Sequence, residues 1–314
     1  MVSSGRMSPQ IPSPARAATV LVNMAARGVA GKVDPGRFSA YLAERAVEAR
    51  VIAPPSPADS TREAYQAARR GEDFLFVVGG DGTVRVCAEG LAGSNTALAP
   101  IRGGTANVLA HETGIPRGFF KAIDAHLAGQ RVRMDLGRAR DLPFLLMAGV
   151  GWDADVARSV PARLKRVAGP LAYVAEGAWK LPRLRTHVVR WSCDGETHEE
   201  PLAVMVIGNT RLYGSVVHVT PRALADDGLL DVCALAPRRP LDGTRISARL
   251  LLRRHEGDPR AFVARAREIG VQTPGLPVQL DGDYVAETPL RFTVDHGALL
   301  LSVPAGKLPP IFGG

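Results

Sequence analysis

Two glycine-rich turns, each directly following a short apolar run, constrain the fold of this chain more than any other feature. The first is Val77-Val78-Gly79-Gly80-Asp81-Gly82-Thr83, after the run 74–78. The second is Ile101-Arg102-Gly103-Gly104-Thr105-Ala106-Asn107, after the run 97–101. A segment with helical spacing follows each. A repeated strand, glycine turn and helix places the turns at the carboxyl ends of strands, where anionic ligands meet helix N-termini. A simple tight turn needs one glycine. The first turn has three, together with an Asp and a Thr. Without Cβ atoms the backbone can bring its N–H groups close to phosphate oxygens. Thr83 adds a hydroxyl donor. Asp81, a carboxylate among phosphates, makes sense where it orients water or a divalent cation, or bonds ribose or base. The expected ligand is a phosphate compound, ATP above all, on Gly79, Gly80, Asp81, Gly82 and Thr83. Gly104, Thr105 and Asn107 repeat the logic at the next strand, where Asn107 either caps the following helix or meets the ligand.

Neither turn is a known mononucleotide or dinucleotide fingerprint. Gly28-Val29-Ala30-Gly31-Lys32-Val33 lacks both the spacing of a Walker loop and the Ser/Thr after Lys, and no Gly-x-Gly-x-x-Gly occurs at the turns.

At 314 residues and 46% hydrophobic, the chain can bury the cores of about two domains. Residues 18–23 read as a strand, 38–50 as a helix, 51–53 as a short strand, 54–60 as a loop and 61–70 as a helix. With the glycine-turn units, this alternation predicts a Rossmann-like α/β domain with a mostly parallel sheet. The pattern changes after about Leu136. Strands are expected at 144–149, 188–193, 202–208, 216–220, 229–235, 277–280 and 290–294, and helices at 160–180 and 243–255. Asp194-Gly195, Asp227-Gly228, Asp281-Gly282 and His296-Gly297 read as turns. The second domain is therefore expected to be β-rich, antiparallel and sandwich-like. The boundaries follow as a disordered leader 1–17, an α/β domain 18–134, a β domain 135–304 whose last strand can return to the first domain, and a tail 305–314.

The formal net charge of +8 favours an anionic partner. Only 5% of residues are aromatic and no helix-turn-helix is evident, which argues against nucleic acid. Cys87, Cys193 and Cys233 lie far apart, a count that suits free thiols in a reducing compartment. No apolar run reaches the ~18 residues of a membrane span, and the leader lacks a signal-peptide core. A cytoplasmic location is expected. Arg158, Arg163, Lys165 and Arg166 around Leu164, Val167, Leu171 and Trp179 read in two ways. One is a basic amphipathic helix on an anionic bilayer; the other is a linking helix with its apolar face buried.

Val78-Gly79-Gly80-Asp81-Gly82-Thr83 with Gly104-Thr105-Ala106-Asn107 and Leu109-Ala110 resembles the diacylglycerol kinase catalytic family. That family includes bacterial lipid kinases and sphingosine kinases and is distantly related to NAD kinases. The first turn alone fits lipid kinases, NAD kinases and phosphofructokinases; the second narrows it to the lipid kinases. Met134-Asp135-Leu136-Gly137, residues 148–154, Gly208-Asn209 and the run Pro-Arg-Ala-Leu-Ala-Asp-Asp-Gly-Leu-Leu-Asp at 221–231 agree, so the resemblance spans about 18–304.

The resemblance implies an NAD kinase/diacylglycerol kinase-like fold and an ATP- and Mg²⁺-dependent lipid kinase. Asn23 and the glycine-turn residues would bind nucleotide. The Leu224 carbonyl, the Asp227 carboxylate and the Leu229 carbonyl would hold a structural magnesium. Gln279-Leu280-Asp281-Gly282-Asp283 resembles the family's Asp-Gly-Glu and supplies the acid/base, Asp281 or Asp283. On spacing alone, Asp227-Gly228 and Asp281-Gly282 equally suit hairpins. The implied partner is a lipid at the inner membrane face, reached by peripheral association, and a homodimer is compatible with the sequence.

The chain also departs from the pattern. Asn23-Met24-Ala25-Ala26-Arg27 replaces Asn-Pro-x-x-Gly. Arg85 and Val86 stand where Asn-Glu is common, Val108 replaces an Asp, and Asp283 replaces Glu. Ala53-Pro54-Pro55 stands where a Thr often contacts nucleotide. Arg85 pairs with a phosphate or, more simply, is a solvated helix residue. An NAD kinase is the alternative activity, although the Gly-x-Leu-Gly-Phe-Leu-like stretch it would carry is replaced here by Arg102-Gly103-Gly104-Thr105-Ala106-Asn107. A non-catalytic nucleotide- or lipid-binding protein of the same fold is the alternative of another class.

Overall fold

The computed structural model describes residues 17–31, 34–151, 186–214, 217–237 and 240–313. Residues 1–16 of the expected leader 1–17 and the basic stretch expected as a helix at 160–180 lie outside them, and Ala17 already belongs to the first strand.

The first half alternates strands and helices: β1 (Ala17–Val22), α1 (Pro35–Ala43), β2 (Glu48–Ile52), α2 (Pro57–Arg69), β3 (Phe74–Gly79), α3 (Asp81–Leu91), β4 (Ala97–Arg102) and α4 (Val108–Glu112). The four strands are parallel in the order β2-β1-β3-β4. β3 is buried along its whole length, because helices cover both faces of the sheet.

The helix expected at 38–50 stops at Ala43. Val47 donates to the Leu42 carbonyl (3.0 Å) across a turn with Ala46 in the left-handed region (φ 57°). The chain then pairs with β1 from Ala17↔Glu48 to Leu21↔Ile52, which gives those backbone groups ladder partners instead. α2 begins four residues earlier than expected. Ser56 accepts from the Asp59 N–H (3.1 Å), and Pro57 occupies the first turn, where its missing N–H costs nothing.

The chain continues through α5 (Phe119–Leu127), β5 (Gln130–Ala139), β6 (Leu142–Phe144), β7 (Met147–Gly151), β8 (His187–Cys193), β9 (Glu196–Leu202), β10 (Val204–Gly208), β11 (Leu212–Tyr213), β12 (Val217–His218), β13 (Leu230–Leu235), α6 (Pro240–Leu251), β14 (Ala261–Ala266), β15 (Glu268–Val271), β16 (Pro277–Leu280), β17 (Asp283–Glu287) and β18 (Leu290–Val303). One antiparallel sheet runs β14-β13-β10-β7-β16-β17. A single apolar cluster joins it to the facing strands: Ile207, Val232 and Val278 from this sheet meet Trp191 of β8 and Phe292 of β18. The second half is thus the expected antiparallel sandwich.

Turn readings divide cleanly. Asp194-Gly195 (φ 46° and 90°) and Asp281-Gly282 (φ 51° and 92°) are two-residue hairpin turns with both residues left-handed. His296-Gly297 is not a turn between strands. It is an irregularity within the long β18, where the register against β5 shifts between Asp295 and Leu299. The buried Asp135 carboxylate holds it there, accepting from the Gly297 N–H (2.7 Å). β18 then runs on, antiparallel to β5 and parallel to β4 at Leu301↔Leu98. The strand expected at 144–149 is split into β6 and β7, because the Leu145 and Leu146 N–H groups donate to Asp281 rather than to a ladder.

Candidate active site

Both glycine turns emerge at the carboxyl ends of β3 and β4, beside the loop after β1. Their backbones touch. Gly103 donates to the Gly79 carbonyl (2.9 Å), and Gly28 donates to the Gly103 carbonyl (2.8 Å). A Cβ on Gly104 would lie 2.4 Å from the Gly80 Cα, and one on Gly79 would lie 2.7 Å from the Thr83 Cβ. Glycine is therefore demanded by contact between neighbouring loops. Gly80 caps α3 in an extended conformation and offers no side chain to it; its carbonyl accepts from the Thr83 (2.9 Å) and Val84 (3.0 Å) N–H groups, and the positive end of the helix is left for an anion.

The flanking side chains shape the turns. Asn23 donates through Nδ2 to the Thr83 hydroxyl (2.8 Å), and its Oδ1 accepts from the Ala25 N–H (3.0 Å). Asn107 is left-handed (φ 49°). It neither caps α4 nor points away, but clasps Gly104, accepting from its N–H (2.8 Å) and donating to its carbonyl (2.9 Å). Thr105 is exposed at the apex of the second turn.

Three carboxylates converge here. Burial pushes Asp81 up to about 6. The Leu109 N–H opposes this, and the charge of Asp281 adds to it. Asp281, at the β16–β17 hairpin, accepts from the N–H groups of Leu145 (2.8 Å), Leu146 (2.9 Å) and Met147 (3.0 Å). Burial raises its pKa against those three bonds and the nearby Arg85 charge. Asp283 differs from both. It is exposed, and its Oδ2 accepts from Arg85 Nη2 (3.2 Å) and lies 3.5 Å from where a Cβ on Gly82 would stand. The second domain thus lays Asp283 over the first glycine turn. Arg85 is not a solvated helix residue: its side chain is only 13% exposed, and it pairs with Asp283 across the domain boundary.

Two further residues, not read from the sequence as site residues, support the site: one joins the domains and the other braces the hairpin. Glu112, at the end of α4, accepts from the N–H groups of Arg211 (3.0 Å) and Leu212 (3.0 Å). Burial pushes it up to about 7, and its Oε2 is buried without a partner. Gln279 accepts from the Gly282 N–H (2.6 Å) and fixes the hairpin that carries Asp281 and Asp283. Sequence spacing carries no sign of either contact, since each partner is distant in the chain or a backbone group.

The expected magnesium loop leads into β13 at the same end of the antiparallel sheet as Asp281, since Asp231 lies opposite Gly208 and Gly208 opposite Met147, whose carbonyl accepts from the Asp281 N–H. Asp227 accepts from the Leu229 N–H (3.1 Å) and pairs with Arg265, which also reaches Asp231 through Nε (3.3 Å). Burial raises the pKa of Asp227, opposed by Arg265. One carboxylate with loop carbonyls is hard-oxygen chemistry of the kind magnesium takes. A cation on Asp227 would nevertheless share that carboxylate with a guanidinium. Among the described residues no cluster of three or more His, Cys, Asp or Glu side chains could hold a metal ion.

An α/β domain whose glycine turns face a carboxylate-bearing hairpin of an antiparallel sandwich defines a two-domain kinase architecture, and comparison with known proteins gives the family. Residues 17–139 match the diacylglycerol kinase catalytic domain, and residues 147–303 match the YegS C-terminal NAD kinase beta sandwich-like domain. The chain is 29% identical over 253 residues to "Diacylglycerol kinase" of Bacillus subtilis (strain 168), covering 79% of this chain and 84% of that one. It is 34% identical over 261 residues to "Probable lipid kinase YegS-like" of Pseudomonas syringae pv. syringae (strain B728a), covering 82% and 83%. In fold it is similar to the crystal structure of a diacylglycerol kinase from Bacillus anthracis str. Sterne. The TM-score is 0.70 at 20% identity, over 93% of this chain and 98% of that one. The chain belongs to the family of diacylglycerol kinase-like lipid kinases.

Proposed function

We propose that the protein transfers the γ-phosphoryl group of ATP, with Mg²⁺, to a hydroxyl of a lipid such as diacylglycerol or a sphingoid base. The observation that carries this reading is the Asp283 carboxylate, exposed and laid over Gly82 at the mouth of the first glycine turn. Phosphoryl transfer asks little covalent chemistry of the protein. It asks for positioned phosphates, neutralised charge and a carboxylate to take the hydroxyl proton.

In this reading the phosphates rest on the N–H groups opening α3, with the Thr83 hydroxyl steadied by Asn23. Thr105 and the turn closed by Asn107 flank them. Asp283 takes the hydroxyl proton. Asp281 is the weaker candidate for base, because three backbone N–H groups already occupy its carboxylate. Its role is to hold the hairpin against the segment before β7. Magnesium, when bound, would neutralise phosphate charge; Asp81, whose carboxylate also accepts from the Leu109 N–H (3.3 Å), is the candidate beside the phosphates, and Leu224, Asp227 and Leu229 are the candidates for a structural ion. The acceptor enters between the α/β domain, about 18–134, and the β domain, about 135–304.

The lipid is met at the inner membrane face by peripheral contact. The net charge of +8 supports this, as do the exposed Leu251 and Leu252 beside exposed Arg253 and Arg254. No helix among the described residues is long and apolar enough to cross a membrane.

The test is a transfer assay with γ-labelled ATP, Mg²⁺, lipid extract in detergent micelles and NAD, split between organic and aqueous phases. Label in the organic phase, lost in Asp283→Asn, supports the reading. Label on NAD alone makes the protein an NAD kinase, and ATP binding without transfer makes it a non-catalytic member of the fold.

A further inference from the structure

Arg85 and Asp283 meet across the domain boundary at 3.2 Å, and both are positions where the chain departs from the lipid kinase pattern. The Asp side chain is one methylene shorter than Glu, and Arg reaches three bonds further than Asn, enough to meet the shorter carboxylate. Arg85 stands one turn into α3. Its guanidinium also faces Asp281, whose ionised form it favours. Its Nε is buried without a partner, so Asp283 is the contact that orients the group outward.

We propose that Arg85 is a positioning residue that holds the Asp283 carboxylate over the first glycine turn, and that Arg85 and Asp283 work as a matched pair. This rests on the lipid kinase reading. A short carboxylate on an exposed hairpin has several rotamers, and only those directed at the turn can take a proton from an acceptor aligned with the γ-phosphate. A charge-assisted bond to a half-fixed guanidinium selects among them. Misplacing a reacting group by about 1 Å costs on the order of a hundredfold in rate.

The experiment is a cycle of Arg85→Asn, Asp283→Glu and the double variant, with Arg85→Lys alongside. Lipid phosphorylation rate, KM for ATP and thermal midpoint are measured for each. Each single variant is expected to lose about tenfold or more in kcat with KM for ATP held within about twofold. The double variant is expected to be little worse than the poorer single one, because both changes break the same contact. Arg85→Lys keeps the charge without the planar fork and falls between. Losses that multiply in the double variant, or an unchanged kcat in Arg85→Asn, overturn the pairing. A rise in KM for ATP with kcat intact makes Arg85 a phosphate contact and overturns it too. A wild-type protein that phosphorylates no lipid removes the kinase reading itself, and the positioning role with it.

Discussion

The Asn23 side-chain amide donates to the Thr83 hydroxyl at 2.8 Å, tying the loop after β1 to the turn after β3. Asn23→Ala removes the donor, and Thr83→Val removes the acceptor. Either change is expected to cost about 1 kcal/mol of stability and to raise KM for ATP by about threefold to tenfold. The double variant should be little worse than the poorer single one, since both break the same contact. Denaturant unfolding and steady-state kinetics check both parts.

Gly104→Ala places a Cβ 2.4 Å from the Gly80 Cα. Backbone lies on both sides, so no flexible side chain can yield. The two turns must separate, at a cost of roughly 1–3 kcal/mol. The urea midpoint should fall with an unchanged m-value, and the rise in thermal midpoint on adding ATP should shrink or vanish.

Burial raises the Glu112 pKa in the folded protein to about 7, from the 4.5 of a free glutamate. The folded protein therefore binds a proton that the unfolded chain releases, so this group's stabilisation is full below about 4.5 and is lost as pH rises through 7. Glu112→Gln keeps an oxygen for the Arg211 and Leu212 N–H groups but cannot ionise. The difference in unfolding free energy, variant minus wild type, should rise by on the order of 2 kcal/mol from pH 4.5 to 8. A flat difference would assign the α4 contact no electrostatic role.

Arg265 competes with any cation for Asp227. Arg265→Met should lower stability without magnesium and give a larger rise in thermal midpoint with millimolar Mg²⁺ than the wild type shows. Adding Asp227→Asn should abolish that rise. A variant that responds to Mg²⁺ no more than the wild type would remove Asp227 as a magnesium ligand.

The sequence shows the site unevenly, for physical reasons. Gly79, Gly80 and Gly104 stand out because close backbone contact leaves only glycine possible. Pro277–Leu280 is bounded as expected, because turn residues flank a short apolar run. Asn107 and Asn23 could be seen as polar residues near the turns, but not as clasps on Gly104 and Thr83. Arg85 looked like a helix-surface residue because its partner, Asp283, is far along the chain. β5 carries arginines between its buried residues and so has no unbroken apolar run. β18 was cut short at His296-Gly297 because the carboxylate that stabilises its irregularity, Asp135, is also remote in sequence.

The pairing of β18 with β4 also bears on how the protein is made. During synthesis β4 leaves the ribosome long before Leu301, the residue that pairs with Leu98. Until then the outer edge of the parallel sheet, next to the second glycine turn, has no strand beside it. Exposed sheet edges recruit other strands, and parallel sheets close slowly. The nascent chain therefore carries an adhesive edge through most of its translation, and a ribosome stalled in the sandwich would release a product prone to aggregate rather than a free-standing nucleotide-binding domain.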